Sequence, residues 1–393
     1  MDALRISRVA TVPFFFLHHL GEQIRFLVRA GHKVDLICSS GPGCTELARM
    51  AGVRLYNIKI PRKIALLADI VALFRLYRLF CRSGCQIMHS TTPKAGLLCA
   101  IAARAAGVPV RLHTFTGQPW MEMRGILCWV ARGCDRLIIA LNTQCYADSR
   151  SQKDFLIAEG IGNDKSLRVL GPGSLAGADV HRWERALKEY RQDETWRALG
   201  LPKGSPVIVF VGRITRDKGV VELIEAFIGL LAAGVDCFLI VVGPFETGGD
   251  VMLERKLADI RTHSRVRLVG YDSVPEKFLA IADLLCLPSY REGFGNVVIE
   301  AAVMGIPAVG TAIVGLSDSI VTGVTGLLVP PKNSQALRDA LLLLLRDTDL
   351  RKRMGQAARN RAIQQFDAAR INELLLREYE RHYKLLIQKN GFA

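Results

Sequence analysis

Short runs of β-branched and aliphatic residues recur along this chain, each followed by a helical segment that stops at a glycine. Ile6–Val12 reads as a strand, Glu22–Ala30 as a helix stopped by Gly31, and Lys33–Cys38 as the next strand. Thr45–Ala51 is predicted helical, with Gly52 behind it. "ARAAGVPVRLHTF" repeats the unit, with Gly107 between a helix and the strand Val110–Phe115. Such βα units predict a parallel sheet covered on both faces. The pattern restarts at Pro206–Gly212 and continues through Cys237–Gly243, Arg265–Gly270, Leu284–Ser289 and Pro307–Thr311, with a helix from about Val220. The chain has 393 residues, too many for one ordinary core. The expectation is therefore α/β: two doubly wound, Rossmann-like domains, residues 1–173 and 174–367. A charged helix from about Ala368 to Gln388, in the segment 368–393, is expected to pack back on the first. The aperiodic, glycine-rich stretch Gly171–Trp183 is expected to be the hinge. Ligands of such sheets bind at the carboxyl ends of the strands, so a cleft between the domains is the expected site.

Charge narrows the partners. Residues 1–173 carry 23 Lys and Arg against 11 Asp and Glu, which is +12 of the formal +15. A basic half implies nucleic acid, an anionic membrane or a phosphorylated substrate. The basic residues are dispersed and no aromatic-rich basic module appears, which argues against nucleic acid. Ten cysteines without a CxxC pair read as reduced thiols rather than a disulfide frame or zinc site. Arg5 and Arg8 before Val9–Leu17 loosely resemble a signal peptide. Pro13, His18 and His19 spoil that pattern, and a first β-strand is the better reading. No stretch reads as a membrane span; Ala226–Val242, broken at Gly234 and carrying Asp236, reads as helix then strand.

The most informative motif is "PSYREGFGNVVIEAAVMGIPAVGT", Pro288 to Thr311. A strand ends near Leu287, a loop carries Glu292, Gly293, Phe294 and Gly295, and a helix starts near Asn296 with Glu300 about one turn in. Glycines allow close backbone approach, and a helix N-terminus offers N–H groups and a positive dipole end to a diphosphate. A carboxylate beside phosphates disfavours them, so each Glu suits hydroxyls of a sugar or ribose instead. In "VGRITRDKGV", Gly212, Arg213 and Lys218 follow a strand end. Two fixed cations there can hold a diphosphate and stabilise it as a leaving group.

"GRITRDKG", "PSYREGFGNVVIEAAVMGIP" and "TGLLVP" resemble the donor-binding domain of family 4 glycosyltransferases, which have the GT-B fold. "STTPKAGLLCAIAARAAGVPVRLHTFTGQPW" and "ADSRSQKDFLIAEGI" are similar to bacterial enzymes that build O-antigen, capsule and related surface glycans. The resemblance implies a retaining, metal-independent transfer from a nucleotide sugar, commonly a UDP-sugar, with no further cofactor. It implies that Arg213 and Lys218, with Gly212 beside them, bind the donor diphosphate. Glu292 would touch the transferred sugar beside the Gly293–Gly295 amides and Asn296, and Glu300 the ribose. His113 looks like the family's cleft histidine, at a strand's carboxyl end. Many members carry a glycine-rich loop after the first strand; "TVPFFFLHHLGEQ" has no glycine before Gly21, and its aromatics are candidates to shape an acceptor site.

Lys94 and the amides near Ala95–Gly96 in "HSTTPKAGLL", together with Thr92 and Gly117, are candidates for an acceptor's phosphate or saccharide. With the basic first half, this points to a polyprenyl-diphosphate-linked acceptor and a cytoplasmic protein peripheral on the inner face of the cytoplasmic membrane. Ile64–Phe80 is either a core-facing helix or a membrane-surface helix, and its spacing favours the core. A UDP-sugar epimerase of the same architecture is the alternative function.

Overall fold

The structure is a computed structural model that describes residues 3–61, 65–190 and 193–390; Ile64, the expected start of the Ile64–Phe80 helix, lies outside them. The chain divides into two compact units, Met1–Ala176 with Ala368–Ala393, and Gly177–Asp367.

The first unit holds β1 (Arg5–Val9), β2 (Lys33–Cys38), β3 (Val53–Asn57), β4 (Ile87–Ser90), β5 (Val110–Phe115), β6 (Gln144–Ala147) and β7 (Leu167–Val169). Their order is β3-β2-β1-β4-β5-β6-β7, and every pair is parallel. Helices α1 (Gly21–Arg29), α2 (Leu66–Ser83), α3 (Pro93–Ala105) and α4 (Gly125–Leu141) lie between strands. Residues alternate between two buried faces. Ile6, Leu36, Ile87 and Leu112 join one apolar cluster with α1 residues, while Val9, Ile37 and Met88 join another with α2 and α3 residues. The runs are mainly apolar because both faces are covered, and the polar residues they carry, such as Arg8, Asp35, His89 and His113, are buried with them.

The second unit repeats the plan with α5 (Val180–Tyr190), β8 (Val207–Val211), α6 (Val220–Ala232), β9 (Phe238–Val242), β10 (Val266–Gly270), β11 (Leu284–Leu287), α7 (Asn296–Val303), β12 (Ala308–Thr311) and β13 (Gly326–Val329). Its strand order is β10-β9-β8-β11-β12-β13, again all parallel. Both units are doubly wound, so each gathers the carboxyl ends of its strands along one edge.

The last helix, α8 (Ala368–Asn390), belongs to the first unit and packs against α1. Its anchor is polar. Arg8 of β1 is 1% exposed, and its Nη1 donates to Gln23 Oε1 and to Tyr379 Oη, each at 2.7 Å. The same phenol lies 2.7 Å from His89 Nδ1, and His89 Nε2 lies 2.8 Å from Thr114 Oγ1. A buried guanidinium demands such partners, and Tyr379 reaches it only from α8.

Three expectations are corrected. The first strand stops at Val9 rather than Val12, and the chain from Pro13 to Leu20, for which the sequence reading assigns no element, is helical, an α-turn (Pro13–Phe15) running into a π-helical turn (Phe16–Leu20). Proline at the first helical position has φ already set and no N–H to lose, so the aromatic run coils instead of continuing the sheet. The expected hinge is shorter than Gly171–Trp183: Val180, Trp183 and Ala186 bury one stripe of α5 in the core of the second unit. The helix predicted as Ile64–Phe80 runs over Leu66–Ser83. It turns Ala72, Leu76 and Phe80 inward and leaves a second apolar face exposed.

Candidate active site

In the second unit, one close approach brings the two donor motifs together. Gly219 ends the turn Arg216–Lys218 with φ +69°, and a Cβ there would stand 2.0 Å from the Pro288 carbonyl oxygen. No other residue lets this turn lie against the end of β11. The amide of Tyr290 then donates to the Asp217 carbonyl at 2.8 Å, and Lys218 Nζ meets Glu292 Oε1 at 2.5 Å. Ser289 Oγ donates to the same carboxylate oxygen at 2.8 Å. The Lys218 and Glu292 side chains are 16% and 14% exposed, so water screens this pair poorly.

Arg213 follows Gly212 at the end of β8. Its Nη1 lies 3.1 Å from Glu246 Oε2, and its side chain is 42% exposed. Asp217 draws in a further cation, with Arg291 Nη2 2.8 Å away. Burial pushes the Asp217 carboxyl upward. The Thr215 hydroxyl at 2.5 Å and the cations Arg291, Lys218 and Arg213 outweigh it, so the group is held below the usual carboxylate range.

The loop after Glu292 depends on a glycine that the motif reading did not single out. Gly315 has φ +90°, and a Cβ there would lie 2.7 Å from the carbonyl oxygens of both Glu292 and Gly293. Gly295 caps α7, which begins at Asn296. The Phe294 side chain is 2% exposed, and its ring packs 5.1 Å from Phe366. An aromatic ring is stabilised by burial, so Phe294 can offer a ligand only its backbone. Glu300 lies partly buried in α7. Burial pushes its carboxyl up to about 7, with Arg182 opposing and Glu276 reinforcing the shift. Arg182 of α5 donates Nε and Nη2 to Glu276 Oε1 at 2.8 and 2.5 Å. Arg182 and Glu276 carry no local signal in the sequence; they reach Glu300 only through the packing of α5.

The structure therefore gathers Gly212, Arg213, Lys218, Glu292, the Gly293–Gly295 backbone, Asn296 and Glu300 on the strand-end edge of one sheet. Two cations and a helix N-terminus can hold a diphosphate there, and two carboxylates can accept hydrogen bonds from hydroxyls.

In the first unit, Thr92 precedes α3, and its hydroxyl lies 2.6 Å from that of Thr11 rather than capping the helix. Lys94, in the first turn of α3, pairs with Asp69 of α2 at 2.7 Å. Gly117 follows β5 with φ +106°. His113 stands two residues before the end of the strand read as Val110–Phe115, and its ring is buried. β5 continues to Phe115, and His113 sits inside it at 1% exposure. Its Nδ1 lies 2.9 Å from Ser90 Oγ, and a Cβ on Gly96 would meet its Cε1 at 2.4 Å. Burial pushes the imidazole down to about 3, so it is neutral. Strand alternation sends His113 inward beneath α3, leaving Thr116 and Gly117 as the first residues past the strand.

Parallel sheets with charged, glycine-rich loops at their strand ends define a doubly wound α/β protein, and the family models specify which kind. Residues 18–173 match the family described as "Glycosyl transferase 4-like domain", and residues 191–361 match "Glycosyl transferases group 1". The chain belongs to the family 4 glycosyltransferases and has the GT-B fold. A capsular polysaccharide biosynthesis glycosyltransferase of Staphylococcus aureus is 29% identical over 94% of both chains. The Escherichia coli protein named UDP-Gal:alpha-D-GlcNAc-diphosphoundecaprenol alpha-1,3-galactosyltransferase is 24% identical over 88% of both. Among solved structures, a sucrose-phosphate synthase of Thermosynechococcus elongatus superposes with a TM-score of 0.81, at 19% identity, covering 97% of this chain and 100% of its own. A HepE protein of Anabaena, solved in complex with UDP and glucose, gives 0.77 at 18% identity, with 96% and 100% covered. The protein is a glycosyltransferase.

Proposed function

We propose that this enzyme transfers a sugar from a UDP-sugar to a polyprenyl-diphosphate-linked saccharide, with retention of configuration and without a metal ion, during assembly of a bacterial surface polysaccharide such as O-antigen or capsule. The observation that carries the reading is the meeting of Lys218 and Glu292 beside the N-terminus of α7. In the step, the bond from the anomeric carbon to the diphosphate breaks and one to the acceptor oxygen forms on the same face. The acceptor proton passes to the diphosphate. Lys218, Arg213 and the loop amides take the charge that grows on the leaving group, a task otherwise suited to a metal ion. Glu292 holds the sugar's hydroxyls and Glu300 those of the ribose. UDP and the diphosphate-lipid acceptor are supported by the names of the Escherichia coli relative and of the HepE complex.

On the acceptor side, Lys94 holds the lipid-linked phosphate at the start of α3, near Thr92 and Gly117. His113 is a positioning residue: its neutral ring lies against Gly96 and sets the first turn of α3. The protein works at the membrane surface, drawn by the basic field of its first half.

The test is incubation with UDP-sugars and a short-chain polyprenyl-diphosphate saccharide, followed by product analysis. The expected result is free UDP and an extended saccharide with the donor's anomeric configuration, unchanged by EDTA. Inversion, an isomerised UDP-sugar without transfer, or activity lost to EDTA and restored by magnesium would overturn the corresponding part. Lys94→Ala is expected to raise the acceptor KM and leave donor hydrolysis unaltered.

Glu300 allows an independent check. Its folded pKa of about 7 lies above the ordinary 4.5, so its contribution to stability is full below that lower value and is lost as pH rises through the upper one. Glu300→Gln is therefore expected to melt higher than wild type at about pH 8 and nearly alike at about pH 5, the difference being at most about 3 kcal/mol. The same variant is expected to bind UDP more weakly and pyrophosphate equally well. Equal melting at both pH values, or unchanged UDP affinity, would refute this placement.

A further inference from the structure

Among the described residues, no helix is long and apolar enough to cross a membrane. The first unit nevertheless exposes apolar side chains on two helices. On α2, Leu66, Leu67, Ile70 and Phe74 are 74%, 82%, 62% and 56% exposed. On α4, Ile126, Leu127 and Trp129 are 77%, 57% and 70% exposed. Single exposed apolar residues are ordinary, but two concentrations of this kind are not. Helix α3 packs against both α2 and α4, so the three lie on the same face of the sheet.

The exposed residues fall mainly in the first half of each helix. Because each helix follows a strand in a parallel sheet, these halves lie toward the edge where the strands end. Lys94 stands on that edge, paired with Asp69 in the first turn of α2. The remaining exposed charge is mostly positive, with Glu122 exposed just before α4. Arg75, Arg78 and Arg82 are exposed on α2, and Arg124 and Arg136 on and just before α4. Each helix carries one acid. Asp69 is paired with Lys94, and Asp135 is buried and accepts the Trp120 indole N–H at 2.7 Å.

We propose that the exposed faces of α2 and α4 form the surface by which the enzyme seats itself in an anionic bilayer, with Trp129 and Ile126 entering the headgroup–acyl boundary and the arginines meeting lipid phosphates. Apolar side chains flanked by arginine are what an interfacial helix presents to lipid. A second copy of the chain is the poorer occupant, since pairing these faces would bring like arginine clusters together with little counter-charge. The surface gives the lipid-linked acceptor of the reading above, on which this inference rests for its purpose, a short path. The lipid stays in the bilayer beneath α2 and α4 while its diphosphate reaches Lys94.

Trp129 supplies the probe. The other three tryptophans, Trp120, Trp183 and Trp196, are buried. Phosphatidylglycerol vesicles with brominated acyl chains are expected to quench and blue-shift the wild-type fluorescence. Trp129→Phe should still bind but lose that response. Replacing Ile126 and Trp129 with serine is expected to lower the vesicle partition coefficient about tenfold for each side chain, with donor hydrolysis and melting temperature kept. Weaker binding to phosphatidylcholine vesicles and release by salt belong to the same expectation. Wild-type protein that ignores anionic vesicles, unquenched Trp129, or a dimer that the serine variant dissociates would overturn the proposal. Quenching of Trp129 in a protein that hydrolyses no UDP-sugar would uphold the surface and sink the donor reading instead.

Discussion

Glu292→Gln is expected to lower kcat about 10²–10³-fold while leaving the fold and the affinity for UDP in place. The carboxylate accepts from both Lys218 and Ser289 through one oxygen. A glutamine oxygen can keep the serine contact, so the loop stays seated. UDP carries no sugar and makes no demand on Glu292. Removing the negative charge also frees Lys218 for the diphosphate, so UDP binding is expected to be equal or tighter. A structural role alone predicts the reverse pattern, with melting temperature and UDP affinity falling together and turnover following. Calorimetry with UDP, thermal melting and steady-state transfer separate the two. Near-normal kcat with an accepted donor would show that Glu292 does not touch the sugar.

Lys218→Ala is expected to weaken UDP binding more than Arg213→Ala does. Each loses one charge-assisted contact, worth about 1.5–3 kcal/mol, or roughly ten- to hundredfold in affinity. Lys218 loses more because it is largely buried while Arg213 is exposed, and solvent dilutes the interaction of an exposed charge. Its removal also leaves Glu292 facing the diphosphate without a counter-ion, and that repulsion adds to the loss. The double variant Lys218→Ala/Glu292→Gln removes it and should recover part of the affinity. Uridine, which has no phosphates, is expected to bind all these variants like wild type. Unchanged UDP affinity in both single variants would remove the diphosphate from this pair of cations.

How much of this was legible in the chain can be judged residue by residue. The strands Lys33–Cys38 and Val110–Phe115 and the start of α6 at Val220 match the sequence reading, because a doubly covered parallel strand is mainly apolar and β-branched and its helix stops at a residue tolerant of a turn. The strand–loop–helix around Pro288–Thr311 was legible for the same kind of local reason: glycines, a helix start and fixed charges lie within one short loop. The chain from Pro13 was not legible as any element, because aromatic residues alone do not signal a helix until a proline sets its first turn.

Contacts between distant segments were not legible. Lys218 and Glu292 are 74 residues apart, and only the absence of a Cβ at Gly219 lets their loops close to 2.5 Å. Arg182 and Glu276 set the surroundings of Glu300 from elements far along the chain. Phe294 and His113 sit inside motifs whose spacing suggests ligand contact, yet packing turns both inward. The amphipathic pattern of α2 cannot say which of two apolar faces finds a partner; α3 covers one and leaves the other to solvent. Sequence by itself determined most of the elements, their parallel arrangement in two series and the residue types of the loop before α7, because those follow from local backbone preference and residue type. Tertiary structure alone decided which charges meet, which ring is neutral and which face stays bare, because burial and distance belong to packed segments and not to any one of them.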